Sequence, residues 1–281
     1  MAISAANADN EIKHALANNS SQLVIDKASI ANAAAGQIFS LWRATGQPGQ
    51  GAIPTAAALA TKALTGALGF NNQTAPVTSY LGWLSLVAAN SALGIEVHDR
   101  IAHQAGLVLN VTTSQTTNLP ISLVTLAPPA ARLGAADYGA GQWFLEVYAD
   151  GGATASNATI AVTYNDGSTG NLNVQAVGGT LRAGRLIPLT PLIPAGSQGK
   201  YIRSVDSVIL SASTGTAGNF GFTYMRQRTG VGLGVANAQR EFDWAQLGLP
   251  ETPNDSCLQF VMSCSTTTTG SLRGQGKIAH I

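Results

Sequence analysis

Glu96, His98, Asp99 and His103 form the one dense group of titratable side chains in this sequence. Read on a helix, Asp99 and His103 are four apart and share a face, where they could pair or ligate a metal. The helical zinc pattern of metalloproteases needs two histidines four apart with a glutamate beside the first, and these histidines are five apart. The spacing therefore favours a helix-end pair, with His103 also suited to the negative end of the helix dipole.

Other chemistry fares no better. Gly230-x-Gly232-x-Gly234 lacks both the Gly-Lys-Ser/Thr ending of a phosphate loop and the dinucleotide spacing, so it reads as a connection. No Gly-x-Ser-x-Gly elbow exposes a serine nucleophile, and the 14 acidic residues include no recognisable glycosidase pair. Cys257 and Cys264 are seven positions apart, an odd separation that puts them on opposite faces of a strand. That geometry disfavours a disulfide and leaves two buried thiols as the expectation. Trp143, Phe144 and Tyr148 put aromatics on both faces of one strand, which suits a sandwich interior or an interface, with a sugar platform as the alternative. No catalytic, cofactor-binding or metal-binding residue is assigned, and the chain is not expected to be an enzyme.

The elements that would carry these residues divide the chain. Residues 1–106 read as a helical region for oligomerisation or attachment. A short helix starts near Glu11, capped by Asp9 or Asn10. Others run from about Gln22 to Ala44, from Pro54 to Leu68, and from Thr78 to Gln104, where Leu81, Leu84, Ala88, Ala92 and Ile95 recur at threes and fours. From 107 to 228 short strand candidates alternate with turns, and Tyr164-Asn165-Asp166-Gly167 is the clearest hairpin cue. Ile202–Leu210 alternates well, and a small-residue turn leads from it to a second strand from Phe220. Residues 229–281 read as an irregular C-terminal segment, an interaction arm carrying the polar tract Ser265–Ser271, with one helical turn between Gln239 and Gln246. The expected fold class is α+β: an N-terminal helical region followed by an antiparallel β-sandwich of jelly-roll type.

Composition narrows the function classes. Of 281 residues only 10% are charged, against roughly 25% in an ordinary domain, and the formal net charge is +1. No cationic run exists to follow a phosphate backbone, so nucleic acid is not an expected partner. No stretch is apolar enough to span a membrane, and Met1–Asn7 lacks the basic start of a secretory signal. A surface of Ala, Gly, Ser, Thr and Asn costs little to cover, which favours an assembly subunit over a free monomer.

Three blocks resemble segments recurring in structural proteins of tailed-bacteriophage particles. They are Ile95–Leu107 with Asp99-Arg100-Ile101-x-His103, then Asn157–Tyr164 with Leu181–Leu189, and Tyr201–Thr223. The resemblance spans about Tyr80 to Arg226 and implies a virion component without carrying over any catalytic residue. It implies a capsid-associated decoration (cement) or minor capsid protein, assembled in the host cytoplasm and located in the virion. The expected partners are itself, as a homo-oligomer, and the major capsid protein or other virion proteins, with no cofactor, nucleic acid or membrane. The alternatives are a major capsid subunit, against which stands the absence of a late spine helix, and a tail or fibre protein with a glycan-binding β domain.

Overall fold

The segment expected to be the longest helix is a pair of β-strands, Ser79–Ala88 and Ala92–Leu107. This is seen in a computed structural model that describes residues 8–30, 33–90, 92–179 and 181–281. The physical reason lies in burial. Ser79–Ala88 buries side chains on both of its faces, Leu81 and Ser85 on one and Leu84, Leu86 and Ala88 on the other, so its burial shows no alternation. A strand buried on both faces loses its two-residue period, and Leu81, Leu84 and Ala88 then mimic a helical stripe.

The α+β assignment is corrected throughout the first 106 residues. Only Ala8–Asn18 is a helix of any length there. The Asp9 and Asn10 side chains expected to cap it, like segment 1–7, lie outside the described residues. The expected 22–44 helix is instead the strand Ser20–Lys27, the strand Ile38–Ser40 and a 3-10 turn at Leu41–Arg43. The expected 54–68 helix contains the short strand Ala58–Leu59. The described residues form an all-β protein with a few short helices.

By contact the chain clusters into two compact units. The first comprises residues 1–51, 61–99 and 227–281; the second, residues 52–60 and 100–226.

In the first unit Ser79–Ala88, Leu272–His280 and Ser20–Lys27 lie side by side, flanked by Arg240–Phe242 and Gly46–Gln47. A second group pairs Leu258–Cys264 with Ile38–Ser40 and with residues 92–99. Leu23, Leu81, Leu84, Leu272 and Ile278 meet Val97, Phe260 and Met262 in one apolar cluster between them. The last strand is central to its sheet, so the C-terminal segment is no arm, and the tract Ser265–Ser271 joins two core strands. The helical turn expected near 239–246 is found at Trp244–Leu247, with Asp243 and Gln246 forming a capping box.

In the second unit Ser156–Tyr164 pairs with Ile202–Leu210 and with Thr169–Asn171, the latter across the expected Asn165-Asp166-Gly167 turn. Gln142–Ala149 pairs with Arg185–Pro188 on one side and with residues 219–225 on the other. Ile160, Val162, Val205 and Val208 pack with Trp143, Leu145, Phe222 and Tyr224 between these sheets. The strand Ile202–Leu210 has the bounds that alternation gave it, yet it and the following strand Asn219–Leu233 pair with different neighbours. The turn between them is a crossing from sheet to sheet. Gly221 permits close approach here, because a Cβ would lie 1.9 Å from the Gln104 carbonyl oxygen.

Candidate functional site

The strand conformation of Ala92–Leu107 redistributes the group at 96–103. In the first unit His98 Nε2 lies 2.6 Å from Glu96 Oε2, two residues away on the same side of the strand. Asp99 is buried; its Oδ2 accepts from Arg228 at 3.0 Å and its Oδ1 from the Cys257 backbone N–H at 2.9 Å. Four residues along a strand span about 13 Å, so the helical Asp99–His103 pairing is lost, and His103 Nδ1 accepts from Arg100 instead.

His103 joins a buried polar network built on two neighbouring strands. Within Gln142–Ala149, Trp143, Leu145 and Val147 enter the apolar core, which turns Phe144, Glu146 and Tyr148 to the other face. Thr223 comes from the adjacent strand, where Gly221 stands opposite Glu146. Arg100 reaches in from its own strand and lies 2.7 Å from Glu146 Oε2, both side chains at 0% exposure. Thr223 Oγ1 and Tyr148 OH donate to the same carboxylate oxygen at 2.5 and 3.0 Å. Arg100 also bonds Tyr148 OH, and its Nε donates to His103 Nδ1 at 2.9 Å.

The electrostatics follow from that burial. Desolvation, then the Arg100 charge, holds the His103 imidazole well below its ordinary range, so the ring is neutral. Accepting at Nδ1 leaves its proton on Nε2. Burial pushes the Tyr148 phenol upward, so it stays a donor. Glu146 Oε1 has no hydrogen-bond partner among the described residues. A carboxylate with one satisfied oxygen and a full-strength counterion in a dry interior fixes strand positions; no substrate can reach it.

Two further constellations escaped the sequence reading. His280 stands between Ser79 Oγ and Ser21 Oγ, each at 2.9 Å, with Ser21 also accepting from the Asn71 N–H. Burial, then Lys62, lowers its pKa, and all three side chains are buried. Both ring nitrogens are bonded to serines, leaving no position for the carboxylate that orients a catalytic histidine. Lys27 is 2% exposed, and its Nζ donates to the carbonyls of Ala44 at 2.7 Å, Pro48 at 2.9 Å and Gly49 at 3.4 Å. Burial brings its pKa down to about 8. The signal that could have found Lys27 is the alternation of Leu23, Ile25 and Lys27 on one face; nothing links Ser21, Ser79 and His280 across so much chain.

The remaining candidates resolve plainly. Trp143 and Tyr148 are 1% and 2% exposed and Phe144 is buried too, so they offer no platform to a sugar. Cys257 and Cys264 are buried thiols. Gly230, Gly232 and Gly234 lie in or just after the strand Asn219–Leu233 and so do not form the strand-to-helix loop that holds phosphate. Among the described residues no cluster of three His, Cys, Asp or Glu could hold a metal ion, and no helix is long and apolar enough to cross a membrane.

No family model and no curated protein matches this chain. Among solved structures, T=1 particles derived from infectious bursal virus match at 10% identity over 96% of this chain and 82% of that one, with a TM-score of 0.19. Infectious bursal disease virus of the Gt strain matches at 8% identity over 93% and 81%, with a TM-score of 0.18. Superpositions at that level carry no structural argument.

Proposed function

We propose that this chain is a structural subunit of a virus particle, working through protein–protein contacts. The observation that carries the reading is where its few charges go. Lys27, Asp99, Arg100, Arg132 and Glu146 are buried, from a total of only 15 Lys and Arg and 14 Asp and Glu. Burial of these groups leaves a surface poorer in charge than the composition already implies. Such a surface resists cover weakly, because few ions need desolvating when a partner docks. The outer face of Ser156–Tyr164 and the next strand shows the type: Thr159, Ala161, Thr163, Ser207 and Ile209 surround only two charged side chains, Arg203 and Asp206.

The resemblance of the 95–107, 157–189 and 201–223 blocks to tailed-bacteriophage structural proteins supports a decoration or minor capsid role within that reading. Many weak contacts repeated over a shell then give strong attachment. The burial of Trp143, Phe144 and Tyr148 removes the residues on which a glycan-binding alternative stood.

The test is the copy number of this chain in purified particles, relative to the major shell subunit, by quantitative mass spectrometry. A ratio near one, or a simple fraction fixed by shell symmetry, is expected. A trace ratio moves the chain to a tail or vertex, and absence from the particle overturns the structural reading.

A further inference from the structure

The strand Ser20–Lys27 has one open edge. The His280 N–H donates to the Asn19 carbonyl at 3.0 Å and Ser20 lies opposite Ala279, so the odd-numbered residues turn their amides to the strand Leu272–His280. The Ala28 N–H donates to the Thr45 carbonyl at 2.9 Å, so the even-numbered residues turn theirs to the other side. On that side the two-residue strand Gly46–Gln47 covers only Asp26 and Lys27. The N–H and C=O groups of Gln22 and Val24 therefore face outward, with no strand paired to them among the described residues.

Beside them is a cleft of about 450 Å³, lined by Gln22 to Val24, Gln47 to Gly49, Thr65 and Ala67 to Gly69. An extended segment added to such an edge gains main-chain hydrogen bonds, as in strand addition. Its lining includes no charged side chain. Lys27, at the end of the strand, is turned inward onto the Ala44, Pro48 and Gly49 carbonyls. Edge strands are ordinarily blunted by Lys, Pro or a bulge, and Ser20–Ile25 carries none of these while leaving Val24 60% exposed.

We propose that this cleft is a contact site for a second copy of the chain, which adds an uncharged extended segment to the edge at Gln22 and Val24. The occupant follows from charge. An acidic or basic strand would bury an ion against amides and apolar groups with no counterion. This chain, 10% charged, supplies neutral extended segments in every copy. A contact between an edge and a different segment is heterologous, and it closes into rings or extends into arrays. The inference rests on the assembly reading above and names the surface that reading needs.

The experiment compares self-association by analytical ultracentrifugation with amide exchange, over a wide range of protein concentration. The expected result is that the Gln22 and Val24 amides exchange fast in dilute protein and become protected as it associates, while Leu23 and Ile25 are protected throughout. Val24→Pro removes only an outward N–H, as an edge position allows. Gly69→Tyr fills the cleft from its lining, at a position where a Cβ meets no atom within 4 Å. Each variant, still folded by circular dichroism, is expected to associate about tenfold more weakly, the loss of one or two backbone hydrogen bonds. Association with Gln22 and Val24 unprotected, or unchanged in both variants, overturns the cleft contact and leaves the assembly reading standing. A chain monomeric at every concentration overturns both.

Discussion

Glu146 shows how much a single buried charge decides at the scale of the residue. It has Arg100, Tyr148 and Thr223 on one oxygen and nothing on the other. Removing one member of such a pair strands the other, so Glu146→Ala is expected to lose about 3–5 kcal/mol of unfolding free energy. Replacing both charges with apolar groups, Arg100→Met with Glu146→Leu, is expected to recover part of that loss, because His103, Tyr148 and Thr223 then lose partners. Urea denaturation of the three variants checks it, and a double variant no better than Glu146→Ala refutes the pairing. Lys27 gives a second expectation, with an unusual sign. Its folded pKa of about 8 lies below the ordinary 10.5, so between these values the unfolded chain holds a proton that the folded chain has released. Stability therefore rises with pH in that window, by about 2 kcal/mol from about pH 8 to about pH 9.5. Lys27→Met removes the slope; a slope retained in that variant assigns it to another group.

At the scale of the element, legibility followed the number of covered faces. Ile202–Leu210 was readable because its outer face keeps Arg203, Asp206 and Ser207 partly exposed, and the Asn-Asp-Gly turn announced its hairpin. Ser79–Ala88 is buried on both faces and reads as a helical stripe, whereas Leu272–His280 keeps Arg273 and Gln275 exposed on one face but sets Gly274, Gly276 and His280 on the other, which leaves only Leu272 and Ile278 to mark a strand in what reads as an arm. Truncation after Ser271 tests that correction directly. An arm could be removed without harm, whereas loss of a central strand is expected to leave the chain insoluble or unfolded by circular dichroism. Gly221→Val is a milder test of sheet contact: with the Gln104 carbonyl oxygen 1.9 Å from any added Cβ, a loss of about 1–3 kcal/mol is expected in the same denaturation assay.

For the whole molecule, the scarcity of surface charge predicts how it associates. Contacts made by neutral faces and backbone edges are little screened, so a tenfold rise in salt is expected to change the association constant by less than about threefold. A steep salt dependence measured by ultracentrifugation would point to ion pairs as the adhesive. Composition alone determined that the surface is poor in charge, and spacing alone determined that 96–103 matches no helical metalloprotease motif, because neither depends on how the chain is folded. Only the tertiary structure decided that the first hundred residues are strands and loops with one helix of any length, that Asp99 and His103 part company, and that Arg100 meets Glu146. Strand pairing joins residues far apart in sequence, and a strand enclosed on both faces keeps no periodic trace of its neighbours.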